Sequence, residues 1–245
     1  MPTHAALIHP ETGQINVARL AEEVTAIRDR VIDERLRLET DCPHMRPEFD
    51  VRITSLGKLQ NVLTSFQLGC AFWAMDLMSP EWWDKVTDYP EAERTLLRSE
   101  WQMFLKLGLV HFSFSAVESS LRAVMRAIEP TAHAGSTLEF KRLYDDLLLH
   151  RLSAPRPAHV ELLDMAAKIR NTVHNNGIYF HKSGSAVDQP YKGRIFRFVH
   201  GKSPAVGGWP LLLELTADLV SMLVDVSRDP RIMAIRTEIL DPGAP

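Results

Sequence analysis

The sequence predicts an all-α fold, a helical bundle with one small β-hairpin inserted near its C-terminus. Three observations predict it. Apolar residues recur at spacings of three and four through most of the chain, the period of a one-faced helix. That period gives way to clustered β-formers only between Ile178 and Lys202. No glycine-rich phosphate loop follows a strand, which argues against Rossmann and P-loop enzymes.

From Ile15 to about Leu38, Val17, Leu20, Val24, Ile27 and Val31 draw one apolar stripe, with Glu, Asp and Arg elsewhere on the surface. "TDCPHMRPEFD" interrupts it with prolines at 43 and 47. A second helix is expected from about Ser55 to Met78, ended by Ser79-Pro80, and "PEWWDKVTDYP" reads as an aromatic turn. A long helix then runs from about Glu91 to Ile128. Leu97, Trp101, Phe104, Leu105, Phe112, Val117, Leu121, Val124 and Met125 cover so much of its circumference that it is expected at the centre of the core. "EPTAHAG" closes it, and Ser136 and Glu139, at capping-box spacing, open the next helix, which reaches about Leu152. After "SAPRP", Pro157 suits the first turn of a helix ending near Asn175. In "GRIFRFVHGK", Ile195, Phe196, Phe198 and Val199 favour strands and Gly193 and Gly201 mark turns. Trp209-Pro210 opens a last amphipathic helix bearing Leu212, Leu215, Leu219, Met222 and Val226. One domain is expected over 1–245: N-terminal helices 14–78, a core of 91–180, a hairpin at 178–202 and a final helix at 209–228.

A formal charge of −3 over 245 residues excludes a polycation that coats nucleic acid indiscriminately. Cys42 and Cys70 share no motif spacing, which gives neither a disulfide framework nor a zinc knuckle. The N-terminus lacks a basic region followed by an apolar one, and the two most apolar stretches carry Asp76, or Lys106 and Glu118, short of the roughly 20 apolar residues of a span. A cytoplasmic protein without a membrane partner is expected.

The stretch "KIRNTVHNNGIYF", residues 168–180, concentrates chemistry at one helix end. Leu162, Ala166, Ile169 and Val173 form a core-facing seam. Val160, Leu163, Ala167, Arg170 and His174 form a second, rotated by about 100°, that begins apolar and ends cationic. Arg170 and His174 are one turn apart and can address the same anion. An imidazole titrating near neutrality can take a proton from a ribose 2′-hydroxyl or give one to a departing 5′-oxygen. A guanidinium can grip the phosphate bidentately and stabilise the charge that develops on it. Asn171 can orient either partner. No HExxH or paired Cys/His spacing occurs, so neither metal nor cofactor is expected.

Between residues 168 and 202, seven basic residues (Lys168, Arg170, Lys182, Lys192, Arg194, Arg197, Lys202) face one acid, Asp188, a local excess of six positive charges against −9 for the remainder. Such a segment can draw in a polyanion, with Lys168, Lys192, Arg194, Arg197 and Lys202 as RNA contacts and Phe180, Tyr191 and Phe198 as stacking surfaces. A structural reading stands beside each of these. Cations near a helix C-terminus offset its dipole, Asn-Asn-Gly is a routine cap, a basic hairpin face can simply be solvated, and Phe180 and Phe198 can be core. Glu118 and Arg122 in "FSAVESSLRAV" have the spacing of a surface ion pair.

"FSFSAVESSLRAV" and "IRNTVHNNG" together resemble the HEPN domain family, helical bundles frequent in prokaryotic defence and toxin–antitoxin systems. The likeness spans roughly residues 95 to 180. The first piece is similar to the family's long helix with its glutamate and nearby arginine, here Glu118 and Arg122. The second is similar to its arginine–polar–spacer–histidine motif, which falls on Arg170, Asn171 and His174. Three residues separate Arg170 from His174, where family nucleases usually have four to six. The resemblance implies metal-independent RNA cleavage at a composite cleft in a homodimer, with a restraining antitoxin or other partner protein. It equally allows a non-catalytic RNA-binding, nucleotide-binding or scaffold role.

Overall fold

The computed structural model describes residues 7–8, 14–131, 139–175, 177–204 and 207–241. Helix α1 (Val17–Asp41) begins where the Asn16 side chain accepts the Arg19 N–H at 3.0 Å, and its apolar stripe is buried as the spacing requires. Helix α2 spans Val51–Phe72 and widens into a π turn at Trp73–Leu77. It starts four residues before the expected Ser55, because Asp50 caps it by accepting the Arg52 N–H. "PEWWDKV" is a helix rather than a turn: α3 (Pro80–Val86) carries Pro at its first position and Ser79 as its cap.

Helix α4 (Glu91–Ile128) has the expected bounds but not the expected burial. Its fully buried residues begin at Leu105, with Trp101 half-buried against the core one turn earlier. Leu97, Phe104 and Phe112 are exposed, at 39%, 60% and 59%. Helix α5 (Phe140–Asp146) continues through a π turn at Leu147–Arg151, and the expected opening at Ser136 lies outside the described residues. Helix α6 (Pro157–His174) follows, then strands β1 (Val187–Tyr191) and β2 (Arg194–Phe198), paired antiparallel with Tyr191 opposite Arg194. Lys192 and Gly193 both adopt positive φ, 51° and 71°, the two-residue turn whose twist matches that of its strands.

Helix α7 (Trp209–Ser227) takes the central place expected of α4. It packs against α1, α2, α4 and α6 and buries Leu211, Leu213, Leu215, Val220, Met222 and Val224 on different sides of its axis. Close to the chain end, where the sequence reading placed no element, Asp229 caps a further helix, α8 (Pro230–Met233). Among the described residues no helix is long and apolar enough to cross a membrane, and Cys42 and Cys70 are buried and unpaired.

The segment after α8 is tied back to the start of α2 by one fully buried ion pair. Arg52 donates to the Asp50 carboxylate through Nε at 2.8 Å and Nη2 at 2.5 Å. Its remaining donors reach the carbonyls of Ile232, Ile235 and Thr237 at 3.1, 2.9 and 3.2 Å. Both side chains are completely shielded from solvent. Removing one member of such a pair strands the other charge in a dry site, at a cost of about 3–5 kcal/mol. Arg52→Ala is therefore expected to lose that much stability in guanidinium denaturation. A loss of under about 1 kcal/mol would show the clamp to be dispensable.

Candidate functional site

Helices α4 and α6 pack side by side, and each contributes one stripe to the seam. From α4 come His111, Phe114, Glu118 and Arg122, at spacings of three, four and four. From α6 come Leu163, Ala167, Arg170 and His174, at four, three and four. Leu163 is fully buried at the inner end, and the seam becomes polar outward.

The seam opens into a cleft of about 490 Å³, lined by Phe114, Glu118 and Arg122 of α4, Glu139, Phe140, Lys141 and Tyr144 at and within α5, Asp164, Ala167, Lys168, Arg170 and Asn171 of α6, and Tyr179 and His181 beyond it. Arg170 stands over the Phe114 ring, its guanidinium carbon 5.0 Å from the ring centre. Its Nε is buried without a hydrogen-bond partner, and the guanidinium makes no ion pair among the described residues. Asn171 is exposed and lines the same cleft.

His174 is exposed one turn beyond Arg170. Its ring meets that of His111 edge-on, with centroids 5.2 Å apart. Partial desolvation, then the positive charge of Arg170 and the second imidazole of His111, hold its pKa below the ordinary histidine value. The neutral form, able to accept a proton, therefore predominates at pH 7.

Neither cation closes the helix. The Asn175 side chain donates to the Asn171 carbonyl at 2.7 Å, and the Gly177 N–H donates to the Thr172 carbonyl at 2.9 Å from a φ of 82°. With the Asn171 and Thr172 carbonyls satisfied by Asn175 and Gly177, neither Arg170 nor His174 is spent on hydrogen-bonding them.

Glu118 and Arg122 form the ion pair their spacing suggests, at 2.7 Å, and stand in the cleft wall. Lys168 also lines the cleft, its ammonium donating to Gln189 of β1 and its pKa lowered by burial. The hairpin cations are placed differently. Lys192 pairs with Asp218 at 2.6 Å and Glu214 at 3.4 Å, and Arg194 pairs with Glu214, both acids belonging to α7. Neither lines the cleft, and their two charges are offset by Glu214 and Asp218, which cancels part of the local excess read along the chain. Arg197 is exposed, 3.9 Å from Asp188 on the neighbouring strand, and Lys202 is exposed at the bridge to Tyr179. Tyr191 and Phe198 are core residues, whereas Phe180 is 52% exposed with its edge against His200.

The sequence reading passed over His111, Phe114, Tyr144, Asp164 and Tyr179. The first two continue the Glu118–Arg122 stripe by helical spacing, which was the available signal. Tyr144 and Asp164 meet through a 2.5 Å hydrogen bond between α5 and α6 that no local pattern announces. No group of three or more His, Cys, Asp or Glu among the described residues is arranged to hold a metal ion.

No family model, curated protein or solved structure matches this chain significantly. The coupling of the two imidazoles can be checked directly. His111→Asn removes one of the positive neighbours that disfavour the imidazolium, so the His174 pKa is expected to rise toward about 6.5 in an NMR titration of the ring carbons. An unchanged His174 titration would show that the two rings do not sense each other.

Proposed function

We propose that this chain is a HEPN-type, metal-independent endoribonuclease acting through Arg170, Asn171 and His174. One observation carries the reading: a guanidinium with no anionic partner among the described residues stands one helical turn from an exposed, predominantly neutral imidazole. Arg170 holds the phosphodiester and offsets charge on its non-bridging oxygens, while Asn171 orients it. His174 takes the proton of the 2′-hydroxyl. The 2′-oxygen attacks phosphorus, the bond to the 5′-oxygen breaks, and that oxygen leaves with a proton from His111, the neighbouring imidazole. The products are a 2′,3′-cyclic phosphate and a 5′-hydroxyl. A homodimer that brings two such seams together, and a role in phage defence or as a toxin restrained by a partner protein, belong to the same proposal.

Single-stranded RNA incubated with the protein in excess EDTA is expected to be cut. His174→Ala should slow cutting by roughly 10²–10⁴-fold, the usual contribution of a positioned acid or base. Equal cutting by the two proteins would end this reading. Because His174 acts in its basic form and His111 in its acidic form, the rate should climb with pH through the lowered His174 pKa and fall again at higher pH as the acid loses its proton, a bell-shaped profile.

A second reading is favoured by the Lys192 and Arg194 ion pairs and by the three-residue spacer: a non-catalytic protein that binds RNA or a nucleotide. RNA retention without cutting, with affinity falling steeply as salt rises, is its signature.

A further inference from the structure

Three lysines are partly buried among the described residues, and the fold answers two of them. Lys58 pairs with Asp241 at 2.7 Å, and Lys168 donates to Gln189. Lys106 of α4 has no such partner. Among the described residues its ammonium makes no ion pair or hydrogen bond, and it rests 5.2 Å from the centre of the Trp209 ring. Burial holds its pKa below the ordinary lysine value. A surface lysine normally lays its stem on apolar ground and carries its charge out into water. Lys106 holds its charge beside an indole instead.

Lys106 borders a cleft of about 370 Å³ where α4, α6 and the start of α7 meet, and none of the lining residues is shared with the Arg170 cleft. The walls are aliphatic: Met103 and Val110 of α4, Ile169 and Val173 of α6, Pro204, and Leu212 of α7. Among the described residues no aromatic ring and no carboxylate lines it. Gly208, which also lines it, is the N-cap of α7, a 19-residue helix with neither a capping side chain nor an acid in its first turn. The positive end of that helix therefore adds to the charge of Lys106 rather than opposing it. The volume falls within the roughly 300–1,000 Å³ typical of small-molecule sites. At about 30 Å³ for each water-sized group, it has room for roughly a dozen non-hydrogen atoms.

We infer that this cleft binds an aliphatic monocarboxylate of medium chain length, its carboxylate on Lys106 and its chain along the walls of α4 and α6. Charge complementarity decides the head group: one unanswered cation in an apolar space is matched by one negative charge, which turns a costly lone ion into a charge-assisted hydrogen bond. The lining decides the body. A nucleobase or other planar ring finds no aromatic surface to stack on, whereas an aliphatic chain removes these side chains from water. The site shares no residue with Arg170, Asn171 and His174, so it stands or falls independently of the ribonuclease reading.

Calorimetric titration of the full chain with octanoate, 1-octanol and acetate tests this. Octanoate is expected to bind at least about tenfold more tightly than 1-octanol, the worth of one hydrogen bond to a charged group, and acetate more weakly than either. Lys106→Met keeps an apolar stem and removes the charge. It should bring octanoate down to the level of 1-octanol while leaving 1-octanol within about twofold of the parent, which also reports that the cleft is still formed. Lys106→Arg, which restores a cation, should recover octanoate binding. Equal affinities for octanoate and 1-octanol in the parent protein, a measurement that needs no variant, would overturn the site. So would octanoate binding that Lys106→Met leaves unchanged, or acetate binding as tightly as octanoate.

Discussion

The arrangement of this molecule depends on hiding α7. Its apolar side chains project on several sides of the axis, and burying each large aliphatic residue is worth about 1.5–3 kcal/mol. No surface position satisfies such a helix. The chain must enclose it, and α1, α2, α4 and α6 do so. Once α4 and α6 stand as neighbours around α7, the stripes they do not use on it meet each other. The Arg170–Phe114 contact, the His174–His111 contact and the cleft all lie along that secondary seam.

Charge is handled differently at the two ends of the structure. Around the C-terminal segment, buried ions are fully compensated: Arg52 spends its donors on Asp50 and three carbonyls, and Asp229 accepts from the Ser153 and Arg231 backbones. Such sites hold the chain in register and offer a ligand nothing. At the outer end of the α4–α6 seam the compensation stops short, leaving the Arg170 guanidinium packed on a ring with its Nε unpartnered. The contrast separates structural polar groups from those available to bind, since an unpaired donor near solvent is inexpensive only when water or a ligand answers it.

The lie of the cationic residues shows why a tally along the chain misleads. Lys192 and Arg194 are close to Arg170 in sequence, but the hairpin folds them onto Glu214 and Asp218 of α7. Glu118 and Arg122, more than forty residues upstream of Arg170, stand in its cleft. Residues adjacent along a strand share a neighbourhood only until a turn points them elsewhere, whereas two helices in contact share one over several turns.

Local signals in the sequence were enough to set the longer helices, the hairpin and the two stripes of α6, because each depends on spacing, a capping side chain or a turn residue within a few positions, though not the short α3 and α8. They also placed Arg170 and His174 on one face of one helix. Which helix would be central, that Phe104 and Phe112 would be exposed, and that His111, Phe114 and Tyr179 would surround Arg170 were decided only by tertiary packing. Periodicity tells each helix which side is apolar; which apolar side wins the interior is a competition among all of them, and the most evenly apolar helix, α7, takes it.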